Sequence, residues 1–233
     1  MTWVLLHGFT GAPRAFDTIG TGLAGRVLAP TLPGHGPRPG AVGSFREEVE
    51  RLGAWLGEEG VRDAHLVGYS FGGRLGWHLL ERDDLFRRAT LIGAHPGLPA
   101  PERAARREAD GRWIERLERE GLEAFVAAWE RAPIFASQAR LPAERLAAQR
   151  AIRLSHTAAG LASALDRLGL GRMPEPPSPR VPVDLVVGGL DARHLEIARG
   201  LPHPRTVAPD VGHNVLLEDP SWLLAHLRGE GAR

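Results

Sequence analysis

The chain has 233 residues, 43% hydrophobic and 24% charged, enough for one sizeable core carrying an insertion. It has no cysteine, which excludes a disulfide-stapled scaffold and a cysteine nucleophile, and its 29 basic residues nearly balance 28 acidic ones without clustering, which argues against nucleic acid as a partner. No run reaches the ~20 apolar residues of a membrane span and the first residues lack a signal peptide's basic flank, so the expectation is a cytoplasmic protein with no membrane span, its oligomeric state open.

Short apolar runs at residues 3–6, 27–29, 65–68, 89–92, 181–187 and 205–208 end in Gly, Pro or polar residues. They are too short for helices and too continuous for a sheet with one wet face. Apolar spacing of i, i+3, i+4 between them predicts helices over 45–56, 71–80 and 221–227. This alternation reads as an α/β fold, a mostly parallel sheet flanked by helices. The pattern breaks over 98–180, which is rich in Ala, Arg, Glu and Leu, has helical runs near 102–117, 122–129 and 161–168, and ends in a proline-rich connector at 173–179. The expected organisation is a core from 1–97 and 181–233 with a helical cap, or lid, at 98–180, placed over the carboxyl edge where open α/β sheets bind ligands.

Gly68-Tyr69-Ser70-Phe71-Gly72 matches G-x-S-x-G between a predicted strand and a predicted helix, the strand-turn-helix context that motif requires. A serine hydroxyl reacts only when a base takes its proton and a carboxylate holds the base. His213, just past the last predicted strand, fits the base best, with His203 the weaker substitute. Asp191 follows the 181–187 strand through a glycine turn and is the first choice of acid over Asp184 and Asp210; the competing role for Asp191 is a helix N-cap. His7-Gly8-Phe9 follows the first strand, so backbone N–H groups of Phe9 and Phe71 would form an oxyanion hole, with His7 and His35 organising loops. Every basic residue is arginine, which removes lysine chemistry and leaves guanidinium as the fixed cation for an anionic ligand.

These motifs, with Leu32-Pro33-Gly34-His35-Gly36, Gly189-Leu190-Asp191 and Gly212-His213-Asn214, resemble the α/β-hydrolase superfamily in order and spacing across essentially the whole chain. The chain starts at the strand before His7, so the expectation is a sheet lacking the superfamily's leading strands. Gly68 to Arg74, Gly93 to Leu98, Glu102 to Arg107 with Asp110 and Trp113, and Trp129 with Pro133 to Ser137 resemble one family, the menaquinone-pathway 2-succinyl-6-hydroxy-2,4-cyclohexadiene-1-carboxylate synthases. That resemblance implies a cofactor-free, metal-free lyase. It would remove a proton from a succinyl-bearing, enolpyruvyl-substituted cyclohexene carboxylate and expel pyruvate, with Ser70, His213 and Asp191 catalytic. Arg74, Arg106 and Arg150, with Tyr69, Trp129 and Phe135, would then bind the small anionic substrate. The rivals are a serine carboxylesterase or thioesterase, and a ligand receptor with an idle triad.

Overall fold

A computed structural model describes residues 1–230. Six strands form in chain order: β1 (Thr2–Leu6), β2 (Arg26–Leu28), β3 (Ala64–Tyr69), β4 (Phe86–Ile92), β5 (Val183–Gly188) and β6 (Arg205–Ala208). They assemble in the order β2-β1-β3-β4-β5-β6, every neighbouring pair parallel. All six predicted runs are strands, displaced at their ends by a few residues at most. The run at 181–187 loses its start because Pro182 has no N–H to give the ladder.

Side chains alternate across a strand, so β1 feeds two apolar layers at once. Val4 and Leu6 join Leu66 of β3 beneath helices Phe45–Glu58 and Phe71–Leu79. Trp3 and Leu5 join Val67 and Tyr69 against Asp17–Gly20 and Pro220–Arg228. With both faces covered, β3 is buried along its whole length, which is why it reads as a mostly apolar run interrupted only by His65.

Between β4 and β5 lie helices Ala100–Arg119, Gly121–Trp129, Ala143–Arg153 and Ala158–Leu168, with short turns of 3-10 helix at Pro133–Arg140 and Leu170–Arg172. They have their own apolar centre, built from Leu117, Phe125, Val126, Leu161 and Leu165. Ala143–Arg153 escaped the periodicity reading because Gln149 and Arg153 turn inward beside Ile152, so polar residues interrupt the apolar stripe. No helix of the described residues is long and apolar enough to cross a membrane.

Strand order reverses at β1: β2 lies on one side of it and β3 on the other. The loops leaving β1 and β3 therefore diverge, opening the crevice in which such sheets bind ligands.

Candidate active site

β3 runs directly into Ser70 and the helix Phe71–Leu79. Ser70 has φ 48° and ψ −105°, a backbone state that costs a residue with a Cβ about 1–3 kcal/mol. The turn closes because its neighbours have no side chain. A Cβ on Gly68 would stand 2.7 Å from Gly73 Cα, and one on Gly72 would stand 2.6 Å from the His7 carbonyl oxygen.

His213 arrives on the loop between β6 and the helix Val215–Glu218. The buried Glu218 carboxylate shapes that loop by accepting the N–H groups of Gly212 at 2.7 Å and Asn214 at 3.3 Å. His213 Nε2 then lies 3.0 Å from Ser70 Oγ, and its Nδ1 2.7 Å from Asp191 Oδ2. Asp191 caps the helix Ala192–Arg199: its Oδ1 accepts the backbone N–H of His194 at 3.2 Å and the ring Nδ1–H of His194 at 3.0 Å. Capping and holding the imidazole are thus both real, on different oxygens. Burial disfavours the charged carboxylate, yet hydrogen bonds from His194 and His213 outweigh it and hold Asp191 well below the usual carboxylate range. Burial lowers the His213 imidazole, with Asp191 pulling the other way, so the ring is neutral and free to accept a proton at neutral pH.

The alternatives lie elsewhere. Asp184 engages Thr206 and His226, Asp210 is exposed, and the His203 ring sits 5.4 Å from that of Trp77. Asp191, His194 and His213 are also a group of metal-ligand types within 4.8 Å of one another among the described residues. Both Nδ1–H groups are turned onto the carboxylate, the arrangement of a hydrogen-bonded base and not of an open ligand set.

Phe9 and Phe71 line the same cavity. Phe71 is the first residue of its helix, so its N–H has no partner within that helix. The Phe9 loop is pinned by three buried histidines. His7 accepts the Leu32 N–H and donates to the Gly8 carbonyl, while His35 accepts the Thr10 N–H and donates to the Pro33 carbonyl. His156 accepts the Gly36 N–H and donates to the Thr10 carbonyl. His7 and His35 organise loops, as the sequence predicts; His156, from the helical insertion, was not foreseen.

The cavity above Ser70 measures about 130 Å³ and is lined by Arg74, Arg106, Arg193, His95 and His194 beside Tyr69, Trp129 and Phe135. No Asp or Glu is among its described lining residues. Arg74 is buried, donates to the Leu168 carbonyl at 2.9 Å and stacks 5.2 Å from the Phe71 ring centre. Burial, with Arg106 nearby, pushes its guanidinium down to about 9, which leaves it charged at neutral pH. Arg106 reaches the cavity while bonded to Asp110 at 2.9 Å. The net field is positive: burial, reinforced by His194, Arg193, Arg74 and Arg106, pushes His95 down to about 4.

Arg150 departs from the expectation. It lines a separate outer groove and pairs with Glu130 at 2.5 Å, so the structure does not bring it to Ser70. Arg153, nearly one helical turn on, is the buried one: it shares Glu130 and lies 5.1 Å from the ring centre of Phe135. Arg153 lines a second cavity whose wall includes Phe9, Tyr69 and Phe135, which also line the first. Arg150 and Arg153 are i, i+3 neighbours about 60° apart around the helix, so both border the outer groove and only Arg153 also reaches the second cavity.

Residues 3–226 match the alpha/beta hydrolase family. Over 232 residues the chain is 34% identical to the 2-succinyl-6-hydroxy-2,4-cyclohexadiene-1-carboxylate synthase of Enterobacter sp. (strain 638), covering 96% of this chain and 89% of that one. It is 33% identical to the putative synthase of the same name from Bacillus subtilis (strain 168), with coverages of 93% and 85%. Among solved structures, MenH from S. aureus superposes with a TM-score of 0.90 at 26% identity, covering 99% and 92% of the two chains. A thermophilic esterase from Thermogutta terrifontis, 24% identical with a TM-score of 0.83, shares the fold. With matches of this extent, the chain belongs to the alpha/beta hydrolase family and, within it, to the family of 2-succinyl-6-hydroxy-2,4-cyclohexadiene-1-carboxylate synthases.

Proposed function

We propose that this protein is a carbon–oxygen lyase of menaquinone biosynthesis. It eliminates pyruvate from 2-succinyl-5-enolpyruvyl-6-hydroxy-3-cyclohexene-1-carboxylate to give 2-succinyl-6-hydroxy-2,4-cyclohexadiene-1-carboxylate. The observation that carries this reading is the meeting of a serine–histidine–aspartate chain with a cavity lined by Arg74, Arg106 and Arg193 and by no described carboxylate. A pocket for neutral esters has no use for three guanidinium groups, whereas a substrate with three carboxylates does.

His213 takes the Ser70 hydroxyl proton, and Ser70 Oγ takes the ring C–H proton of the substrate. The electron pair released from that C–H bond at C2 forms the C2=C3 double bond, the C3=C4 π pair shifts to C4=C5, and the C5–O bond to the enolpyruvyl group breaks. The leaving group departs as the enolate of pyruvate and regains a proton on its methylene carbon. Negative charge grows on the succinyl ketone oxygen as the C–H bond breaks, and the Phe9 and Phe71 N–H groups are the donors for it. Written this way the elimination is redox-neutral and needs a base, two amide donors and cations, all supplied by the chain. Residues 98–180 act as the cap: Arg106, Trp129 and Phe135 all reach the cavity from it. Arg193, from the core, completes the cationic rim.

Purified protein given the enolpyruvyl substrate should release pyruvate faster than the spontaneous rate. Ser70→Ala should lose at least about 10³-fold of kcat while still binding the substrate. Wild-type protein that releases pyruvate at the spontaneous rate overturns the assignment.

A further inference from the structure

Asp191 serves two imidazoles, and the Ser70–His213–Asp191 chain uses only one of them. His194 is buried on the first turn of the helix Ala192–Arg199, with its ring centre 4.5 Å from that of His213 and the planes 36° apart. Its Nδ1 lies 3.0 Å from Asp191 Oδ1 and 2.9 Å from Oδ2, against 2.7 Å for His213 Nδ1 to Oδ2. The carboxylate has no proton to give, so both rings must carry their hydrogen on Nδ1. For His194 this leaves Nε2 as the uncommitted nitrogen of a residue that lines the reaction cavity.

We infer that His194 is a positioning residue for the elimination: its ring N–H reaches both oxygens of Asp191, beside its own backbone N–H on Oδ1, and shares that carboxylate with His213, so that two imidazoles divide one negative charge. The inference rests on the proposed lyase reading of the site. Two consequences follow from the geometry. A carboxylate held by donors on both oxygens cannot rotate away from His213, which keeps the reactive ring aimed at Ser70. A charge shared with His194 is also less available to an imidazolium on His213, so His194 restrains His213 as a base.

The groups facing His194 do not mask this effect. From its own helix these are Asp191 and Arg193. From the loop after β6 it is His213, itself near Glu218, and from the loop after β4 it is His95; Arg74 and Arg106 share the cavity. Arg74, pushed down to about 9, stays charged across the acid limb, and His95 is pushed down to about 4 by burial. Removing the His194 ring therefore leaves only the backbone N–H competing with His213 for the carboxylate and makes His213 the stronger base.

The test is the pH dependence of kcat/KM for pyruvate release between about pH 5 and 9 in His194→Phe and His194→Gln. His194→Phe should move the acid limb up by about half a pH unit or more and lower plateau kcat several-fold with KM little changed. His194→Gln restores a side-chain donor to the carboxylate, so plateau kcat should recover and the limb should return toward its wild-type position. A packing role alone would lower thermal stability and leave the limb where it is. An acid limb in His194→Phe that is unmoved or moved down overturns the inference. Proton NMR separates this result from failure of the lyase reading. The wild-type protein should show two low-field ring N–H signals, and His194→Phe should show one, whether or not pyruvate is released. A spectrum unchanged by His194→Phe overturns the pairing.

Discussion

Arg74 shows what a single residue contributes here. Four positions beyond Ser70 on the same helix, it is carried back over the elbow by about one turn, and its guanidinium is held by the Leu168 carbonyl against the Phe71 ring. In the proposed function, a charge kept out of water in this way would be poised for an anion, because the desolvation has been met in folding and not at binding. Losing one charge-assisted contact of about 1.5–3 kcal/mol should raise KM of Arg74→Ala roughly 10–100-fold, measured by pyruvate release. Arg74→Lys should recover only part of that, since a point charge cannot make two parallel bonds; an unchanged KM in Arg74→Ala would remove this residue from the binding site. Ser70, Asp191, His213 and Arg74 were legible in the sequence because each lies at a fixed offset from a strand end or a glycine turn. Arg193, His194, His95 and Arg153 were not, because nothing local distinguishes a cavity-lining arginine or histidine from a solvated one.

At the scale of elements, the strands were legible and the insertion only partly so. A central parallel strand must be buried on both faces, a signal carried in β3 by Ala64, Leu66, Val67 and Tyr69. The insertion helix Ala143–Arg153 buries Gln149 and Arg153 with Ile152, and its pairing pattern becomes visible only once Glu130 is seen beside it. The elbow joins the two scales, since the start of the helix Phe71–Leu79 packs directly on the end of β1. In Gly72→Ala the new methyl would meet the Leu6 and His7 carbonyl oxygens, both backbone atoms that cannot swing aside. We expect a loss of about 2 kcal/mol or more in urea unfolding. Pyruvate release should fall further than stability accounts for, because the Phe71 N–H moves with the turn. Wild-type stability in this variant would mean that the elbow is looser than its geometry requires.

For the whole molecule, the buried histidines predict how it fails in acid. His7, His35 and His156 each use one ring nitrogen to accept a backbone N–H, so protonation would set donor against donor. Burial pushes His7 down from 6.5 to about 4 and lowers His35 and His156 as well. The native state therefore refuses protons that the unfolded chain binds. Stability is complete above about pH 6.5 and is lost as pH falls from there toward 4, on the order of 3 kcal/mol for His7 alone. Urea midpoints measured between about pH 7 and 4 should fall steeply over that interval, and His156→Gln should flatten the fall. A midpoint independent of pH across this interval would show that these rings titrate normally. Because His156 joins the insertion to the Thr10 and Gly36 loops, the same acid step should loosen those loops and the insertion together.

The sequence by itself determined the alternation of strands and helices, the elbow serine, and the order in which acid and base follow it, because each depends on neighbours a few residues away. The tertiary structure alone decided which arginines reach the cavity, that Arg150 faces an outer groove, and that His194 meets His213 across Asp191. These are contacts between segments far apart in the chain, or the product of a helix's rotation about its axis. Neither leaves a local periodicity from which it could be read.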